Sequence, residues 1–211
     1  MTQRGRPKAF DRVAALEAAM LLFWERGFEQ TCVDDLAAAM GIQTSSLYSS
    51  FGDKEALYLA AVDHYRTGKG NIYDLAVTEG KTAKEGFTNL FKLAAAEMTR
   101  RDQPRGCMLS LALPTCSPKY EELQKELNQL RMLSEAIWID RLKAAVQAKE
   151  IPRSTDLHLV ATFFRTVLTG MSLQARAGAS RETLMKIGNL ALQTWPGPSH
   201  AKARGLGKTT K

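Results

Sequence analysis

Thr31–Phe51 reads TCVDDLAAAMGIQTSSLYSSF, two short apolar-periodic segments joined at Gly41-Ile42-Gln43. Leu36, Ala37 and Met40 recur at helical spacing in the first segment, and Leu47 and Phe51 do so in the second. That periodicity predicts two helices, each with one buried face, and Ile42 packed between them. Thr31-Cys32-Val33-Asp34 has the form of a capping box with Asp in place of the usual Glu, which sets the first helix start at Thr31. Gly41 stops that helix in the left-handed conformation that glycine adopts cheaply. Thr44 or Ser45 is then the expected cap of the second helix. The second helix leaves Gln43, Thr44, Ser45, Ser46, Ser49 and Ser50 facing outward, an uncharged surface of hydroxyls and one amide. A bracing helix, a tight turn and a second helix with a free polar face make a helix-turn-helix. An ordinary packed helical hairpin shares the pattern.

Outward from this segment almost every stretch repeats at helical period and none alternates as a strand, so the fold class is all-α. Asp11 can cap a first helix whose apolar face is Val13, Leu16, Met20 and Phe23, ended by Gly27 in the left-handed position with Phe28 folded back on Phe23. Gly52-Asp53 ends the recognition segment, and Asp53 caps a long helix that begins Lys54-Glu55-Ala56-Leu57. Gly68, Gly70 and Gly80 weaken helix, which predicts fraying or a linker over 68–82. Later helices are expected over about 83–100, from Cys107 to Leu113, from Ser117-Pro118 to just before Pro152, from Thr155 and from Ser180 to Trp195. In the long one Leu123, Leu127, Leu130, Ile137, Leu142 and Val146 form the apolar face.

The chain has 211 residues and a formal charge of +7, with 45% apolar and 24% charged residues. Arg4, Arg6 and Lys8 stand in the first nine residues without an acid; Lys202, Arg204, Lys208 and Lys211 stand in the last sixteen, also without one. The whole excess therefore sits on the two ends, and the body is formally neutral. Basic ends suit a polyanion, nucleic acid being the commonest; solubilising tails are the bland alternative. No apolar run approaches the roughly 18 residues a membrane span requires, and Met1–Lys8 lacks the apolar stretch of a secretion signal. Cys32, Cys107 and Cys116 are too few for a disulfide framework, so a reduced cytoplasmic protein is expected.

At this point the residues resemble a known family. Phe23, Gly27-Phe28 and Thr31, then Val33, Leu36-Ala37 and Met40-Gly41-Ile42, then Leu47-Tyr48, Phe51, Lys54 and Leu57 are similar, without a gap over about residues 10–65, to the signature of TetR/AcrR-type transcriptional regulators. The branch suggested has Gly-Asp-Lys-Glu-Ala-Leu after the recognition helix, here 52–57, and an Arg-Gly-Cys segment, here 105–107. The resemblance implies a dimeric DNA-binding regulator: a basic arm (1–9), a helix-turn-helix domain (10–52), a helical regulatory and dimerisation domain (53–195) and a basic tail (196–211). It implies that Tyr48 meets the DNA backbone, that Lys54 at a helix start reaches a phosphate, and that Thr31 or Cys32 lies near the backbone. Gln43, Thr44, Ser45, Ser46, Ser49 and Ser50 hold the positions that meet base edges, with Gln43 suited to bidentate pairing with adenine.

Departures from the family pattern matter here. Cys32 replaces a common serine or threonine, Asp34 repels phosphate, and residues 42–51 carry no charge. Electrostatic attraction therefore rests on the arm, whose Arg4-Gly5-Arg6-Pro7 resembles a minor-groove AT-hook core, with Lys8 behind it.

The last two helices are apolar over a wide arc, which predicts burial on two sides. The family pairs them across a two-fold axis, and Gly170, Leu184, Met185, Gly188 and Leu192 are the interface residues this implies. Family members hold a small molecule in the second domain; Phe87, Phe91, Met98, Met108, Leu111, Trp138, Phe163 and Phe164 are the candidates, favouring an apolar or aromatic effector over any cofactor, with core packing as the alternative for each. His64, His158 and His200 are isolated, so no metal site is expected, and Cys107 and Cys116 read as inert thiols before they read as a redox or copper/zinc pair. No catalytic nucleophile, carboxylate pair or phosphate loop stands out, so no enzymatic activity is expected. The reading is a ligand-responsive repressor on a palindromic operator; the alternatives are an activator or ligand-independent regulator, or a helical ligand-binding protein with a vestigial helix-turn-helix. Deleting residues 1–8 is expected to flatten the plot of log K against log salt for operator binding by about 0.9 per lost phosphate contact. An unchanged slope contradicts a role for the arm.

Overall fold

In the computed structural model residues 11–112 and 118–197 are described, and all their regular elements are helical. Helices α1 (Arg12–Arg26), α2 (Val33–Met40) and α3 (Thr44–Phe51) precede α4 (Lys54–Thr67). There follow α5 (Asn71–Glu79), α6 (Ala83–Glu97) and α7 (Met108–Ala112). A 3₁₀ turn, Pro118–Tyr120, leads into the long α8 (Glu121–Gln147), then α9 (Leu157–Arg176) and α10 (Arg181–Leu192). Arg4, Arg6, Lys8, Cys116 and the tail beyond Gly197 lie outside the described residues.

Caps set most of the boundaries. Asp11 accepts from the N–H groups of Val13 and Ala14, Asp53 from Ala56, Asp156 from Leu159 and Ser180 from Thr183. Each satisfies a donor that a helix start leaves orphaned. Gly27 ends α1 with positive φ but an extended ψ of 172°, so it is not the left-handed cap expected; Phe28 still folds back to stack on Phe23 at 6.4 Å.

The segment expected to fray is a helix. Glycines at 68, 70 and 80 only bracket α5, and its residues Tyr73, Asp74 and Val77 are buried. Gly80 and Gly86 instead permit a close α5–α6 hairpin: a Cβ on Gly80 would collide with Gly86 backbone, and one on Gly86 would collide with the Val77 carbonyl. Composition signalled weak helix, but backbone-to-backbone packing is what those positions require. Val13 and Ile137, expected in apolar faces, are 67% and 36% exposed.

The core of the second half is an aromatic cluster. Phe87 packs on Trp138, Phe164 and Trp195, with centroids 5.6, 5.0 and 5.7 Å away, and Phe91 meets Phe164 at 5.6 Å. Full burial of each large side chain stabilises by about 1.5–3 kcal/mol. Of the expected pocket residues Phe87, Phe91 and Phe164 are thus packed core, Met98 is fully buried as well, and none of the four lines a cavity. Phe163 is corrected more sharply: it is 39% exposed on the outer side of α9, in a stripe with Leu159, Gly170 and Leu173.

The expected dimer set is corrected too. Leu184 and Gly188 face inward, and a Cβ on Gly188 would stand 2.7 Å from Phe91 Cβ, so glycine there lets α10 settle onto α6. Met185 and Leu192 are half-buried, whereas Gly170 has open space where a side chain would project.

Helical Gly→Ala normally stabilises by about 0.5–1 kcal/mol. At position 86 the sign should reverse: Gly86→Ala is expected to lower stability by about 1–3 kcal/mol through overpacking, read as a lowered denaturation midpoint. A midpoint that stays or rises contradicts the close hairpin.

Candidate nucleic-acid interface

The α2–α3 unit is braced from behind. Leu36, Ala37, Met40, Leu47 and Phe51 are buried, and α2 packs on α1 while α3 touches α4. Gly41 at φ 67° and ψ 32° is left-handed, and its N–H bonds back to Ala38 while that of Ile42 reaches Ala37. These bonds hold the turn at the angle that crosses the two helices.

Two caps differ from the sequence expectation. Cys32, not Thr31, caps α2, its Sγ accepting from Asp35 N–H at 3.4 Å. Thr31 is 1% exposed and donates its hydroxyl to the Gly27 carbonyl at 2.7 Å, tying the start of α2 to the end of α1. It is turned away from the surface and leaves the set of backbone-contact candidates. The cap of α3 is Gln43, without a side-chain bond, so Thr44 and Ser45 lie inside the helix. Freed from capping, Thr44 donates toward Asp34 at 3.5 Å across the two helices. Asp35 is engaged by Arg26 at 2.7 Å.

What remains outward on α3 is Gln43, Ser45, Tyr48 and Ser49, with Thr44, Ser46 and Ser50 half-buried. Tyr48 is 49% exposed, a large ring with nothing in its own chain to require that exposure. Ser49 donates to the Ser46 carbonyl at 3.1 Å. A shallow groove runs beside these residues, bounded by Ala37, Ala38, Gly41, Ile42, Gln43, Ser46, Ser49 and Ser50. The small side chains of Ala37 and Ala38, which carry no polar signal in the sequence, let this groove exist.

Cations flank the helix by stacking. Lys54, the first residue of α4, holds its ammonium 4.4 Å from the Phe28 ring centroid. Arg12, which the sequence reading passed over, lies 4.7 Å over the Phe51 ring at the end of α3. Both are placed by an aromatic face. Arg12 carries no local signal for this place, because Phe51, which positions it, is distant in sequence.

The same unit is latched to the rest of the chain. Arg176, in the last turn of α9, donates to the Glu25 carbonyl at 2.7 Å and to the Trp24 carbonyl, at the end of α1. Burial pulls its guanidinium pKa below the usual value. Arg105 in turn donates to the Ala175 carbonyl at 2.7 Å and to that of Ala179, and Cys107 N–H donates to Ser172 Oγ at 2.8 Å. Gly106, at φ 88°, fits against Ser172. The Arg105-Gly106-Cys107 segment is therefore the tie between α7 and the end of α9. Met108 and Leu111, two of the expected pocket residues, line a crevice of about 270 Å³ at this junction with Phe23, Trp24, Tyr58 and Leu173.

A cavity of about 40 Å³ lies farther in, between α4, α5, α7, α8 and α9; of the expected set it includes only Trp138. Its wall is largely apolar but carries charged groups: Asp74 accepts from Ser134 at 2.8 Å and from Trp138 Nε1 at 3.0 Å, and Arg66, Arg131 and Arg165 line it.

Among the described residues no group of three or more His, Cys, Asp and Glu is placed to hold a metal, and no helix is long and apolar enough to cross a membrane.

A short helix with one side buried and the other uncharged and polar, crossed on a bracing helix in an all-α body, has the geometry of a helix-turn-helix DNA-binding protein. Comparison with known proteins specifies it further. The family model described as "Bacterial regulatory proteins, tetR family" matches residues 15–61. The chain is 35% identical over 194 residues to the HTH-type transcriptional repressor ComR of Escherichia coli (strain K12), covering 92% of each chain. It is 26% identical to the HTH-type transcriptional repressor BdcR of the same strain, covering 89% of this chain and 90% of BdcR. A cysteine variant of the TetR family transcriptional regulator CifR, solved with 26-base-pair double-strand operator DNA, superposes with a TM-score of 0.85 at 36% identity, covering 91% of this chain and all (100%) of that one. The chain belongs to the TetR family and is a DNA-binding transcriptional regulator.

Proposed function

We propose that the protein is a cytoplasmic, homodimeric, effector-responsive repressor without catalytic activity. In this reading residues 10–52 bind DNA, residues 53–195 pair the subunits and hold the effector, and the basic ends at 1–9 and 196–211 add attraction to phosphate. The observation that carries it is the outward face of α3, held on a fully buried backing of Leu36, Leu47 and Phe51.

Gln43, Ser45, Ser46 and Ser49 are assigned to base edges in the major groove, with Thr44 and Ser50 at its rim. Tyr48 is assigned to the DNA backbone, Lys54 and Arg12 to phosphates, Cys32 to the backbone beside α2, and Arg4, Arg6 and Lys8 to the arm's own contacts. Repression is supported by the printed function of ComR and by the operator complex of CifR. Homodimerisation is supported by exposed Leu159, Phe163 and Leu173 on α9, which with half-buried Gly170 keep one face at i, i+4, i+11, i+14 spacing, and by exposed Leu190 on α10. An apolar stripe of this kind marks a protein–protein surface. Two recognition helices related by a two-fold axis meet half-sites about 34 Å, or a multiple, apart.

Effector response would run through the latch. Movement of α9 or α7 around the cavity is conveyed by Arg176 to the end of α1, against which α2 is braced. The effector shifts the population only by its differential affinity for the two states.

Gel shifts on the DNA upstream of the protein's own gene test this. Retarded DNA at physiological salt is expected. Lys54→Ala should weaken all sites alike and lower the salt slope by about 0.9, whereas Gln43→Ala should relax preference at one base pair by about 1–3 kcal/mol. No retardation on any genomic fragment, even in dilute buffer, rejects the reading.

A further inference from the structure

The cavity between α4, α5, α7, α8 and α9 has a deficit of acceptors. Five buried side-chain polar atoms among the described residues lack a hydrogen-bond partner, and all are N–H donors: Trp24 Nε1, Arg131 Nε, Arg141 Nε, Arg165 Nε and Arg165 Nη2. Three of them belong to Arg131 and Arg165, which line this one cavity. Leaving a buried charged donor unmatched is costly, and native interiors seldom do so without a partner to come.

The neighbouring acids do not meet the need. Glu135 forms a buried ion pair with Arg165, 3.0 Å from its Nε, which answers the charge on that side; Nη2 on the other arm of the fork, and Arg131 Nε, have no hydrogen-bond partner. Asp74 is already held by Ser134 and Trp138, and Asp63 is engaged by Arg66 at 2.7 Å. Burial lowers the Arg165 pKa and Arg131 lowers it further, against the opposing pull of Glu135 and Asp74; the two guanidiniums repel each other across the site. The rest of the wall is neutral. Burial pushes the Tyr65 and Tyr73 phenols well above their usual range, and Trp138, Leu109 and Leu168 give it an apolar side.

We infer that this cavity is a binding site for a small carboxylate, its head accepting from the N–H groups of Arg131 and Arg165 and its short body lying against Trp138, Leu109 and Leu168. The inference rests on the effector-responsive reading and specifies the effector's class. A carboxylate supplies two acceptor oxygens in the plane that guanidinium forks match, and it offsets the repulsion between the two arginines. The volume, about 40 Å³, equals roughly three water sites by the same measure, which limits the occupant to a few heavy atoms unless the walls open. Position also matters. Leu168 and Thr169 of the lining sit on α9, two turns before Arg176, and Cys107 of the lining is bonded to Ser172, so occupancy bears on the latch to α1.

The test is titration of the full-length protein by calorimetry and thermal shift with acetate and propionate, whose size suits the cavity, against acetamide and propionamide as uncharged isosteres and sodium chloride at matched ionic strength. Saturable binding of one carboxylate per chain is expected, at least tenfold tighter than its amide. Arg131→Met and Arg165→Met should each weaken it tenfold or more, and Arg131→Lys should retain part of it. Operator retardation by each variant reports that it is folded. Equal affinity for acid and amide, or no binding of either acid by protein that still retards its operator, overturns the inference. Carboxylate binding by protein that retards no DNA leaves the site standing and removes the repressor reading instead.

Discussion

Two short helices of eight residues each cannot hold a shape alone, so the molecule depends on the contact that crosses them. Leu36 and Leu47 are fully buried at that crossing, Gly41 sets its angle, and the Thr31 hydroxyl ties its entry to the end of α1. Because the backing side is entirely apolar, the polar residues of α3 have one direction left, outward. Phe28 and Phe51 extend the same logic to charge: each ring seats a cation, Lys54 or Arg12, at an edge of the recognition surface. The uncharged face and its two flanking cations are therefore consequences of one packing solution.

That solution is continuous with the later helices. α1 packs on α4 as well as on α2, His64 meets Glu17 at 3.1 Å, and Arg176 closes over the last carbonyls of α1. The orphan carbonyls at a helix C-terminus attract a cation, so Arg176 is held by geometry that the helix end itself creates. Arg105 repeats the device at the end of α9. Two helix ends capped in series by arginine link the cavity region to the brace behind α3. A modest shift of α9 has a mechanical route to the spacing of recognition helices.

The sequence made some of this legible and hid the rest for physical reasons. Many local signals are met: Asp11, Asp53 and Ser180 cap helices as their types prescribe and Gly41 is left-handed, although Gly27 is extended in ψ and the caps of α2 and α3 fall on Cys32 and Gln43. Signals that depend on a partner distant in the chain were misread. Gly80 looked like a helix breaker because nothing local reveals that it faces the backbone of Gly86. Gly188 looked like a subunit contact for the same reason, while its true neighbour is Phe91. Aromatic residues were weighed for the cavity because they are large and apolar, yet Phe87, Phe91 and Phe164 fill one another's space and Phe163 points out. Of the aromatic set only Trp138 lines the cavity; Arg131, Arg165 and Asp74, far apart in the chain, are brought to it by the tertiary arrangement alone.

The central claim is that a paired assembly sets two copies of the α3 face into one face of a duplex. Hydroxyl-radical footprinting on the bound upstream fragment reads this directly. Two equivalent protected patches are expected, related by a dyad and spaced by about 10–10.5 base pairs or a multiple. A single protected patch without a dyad, or uniform protection that follows no sequence, would contradict it.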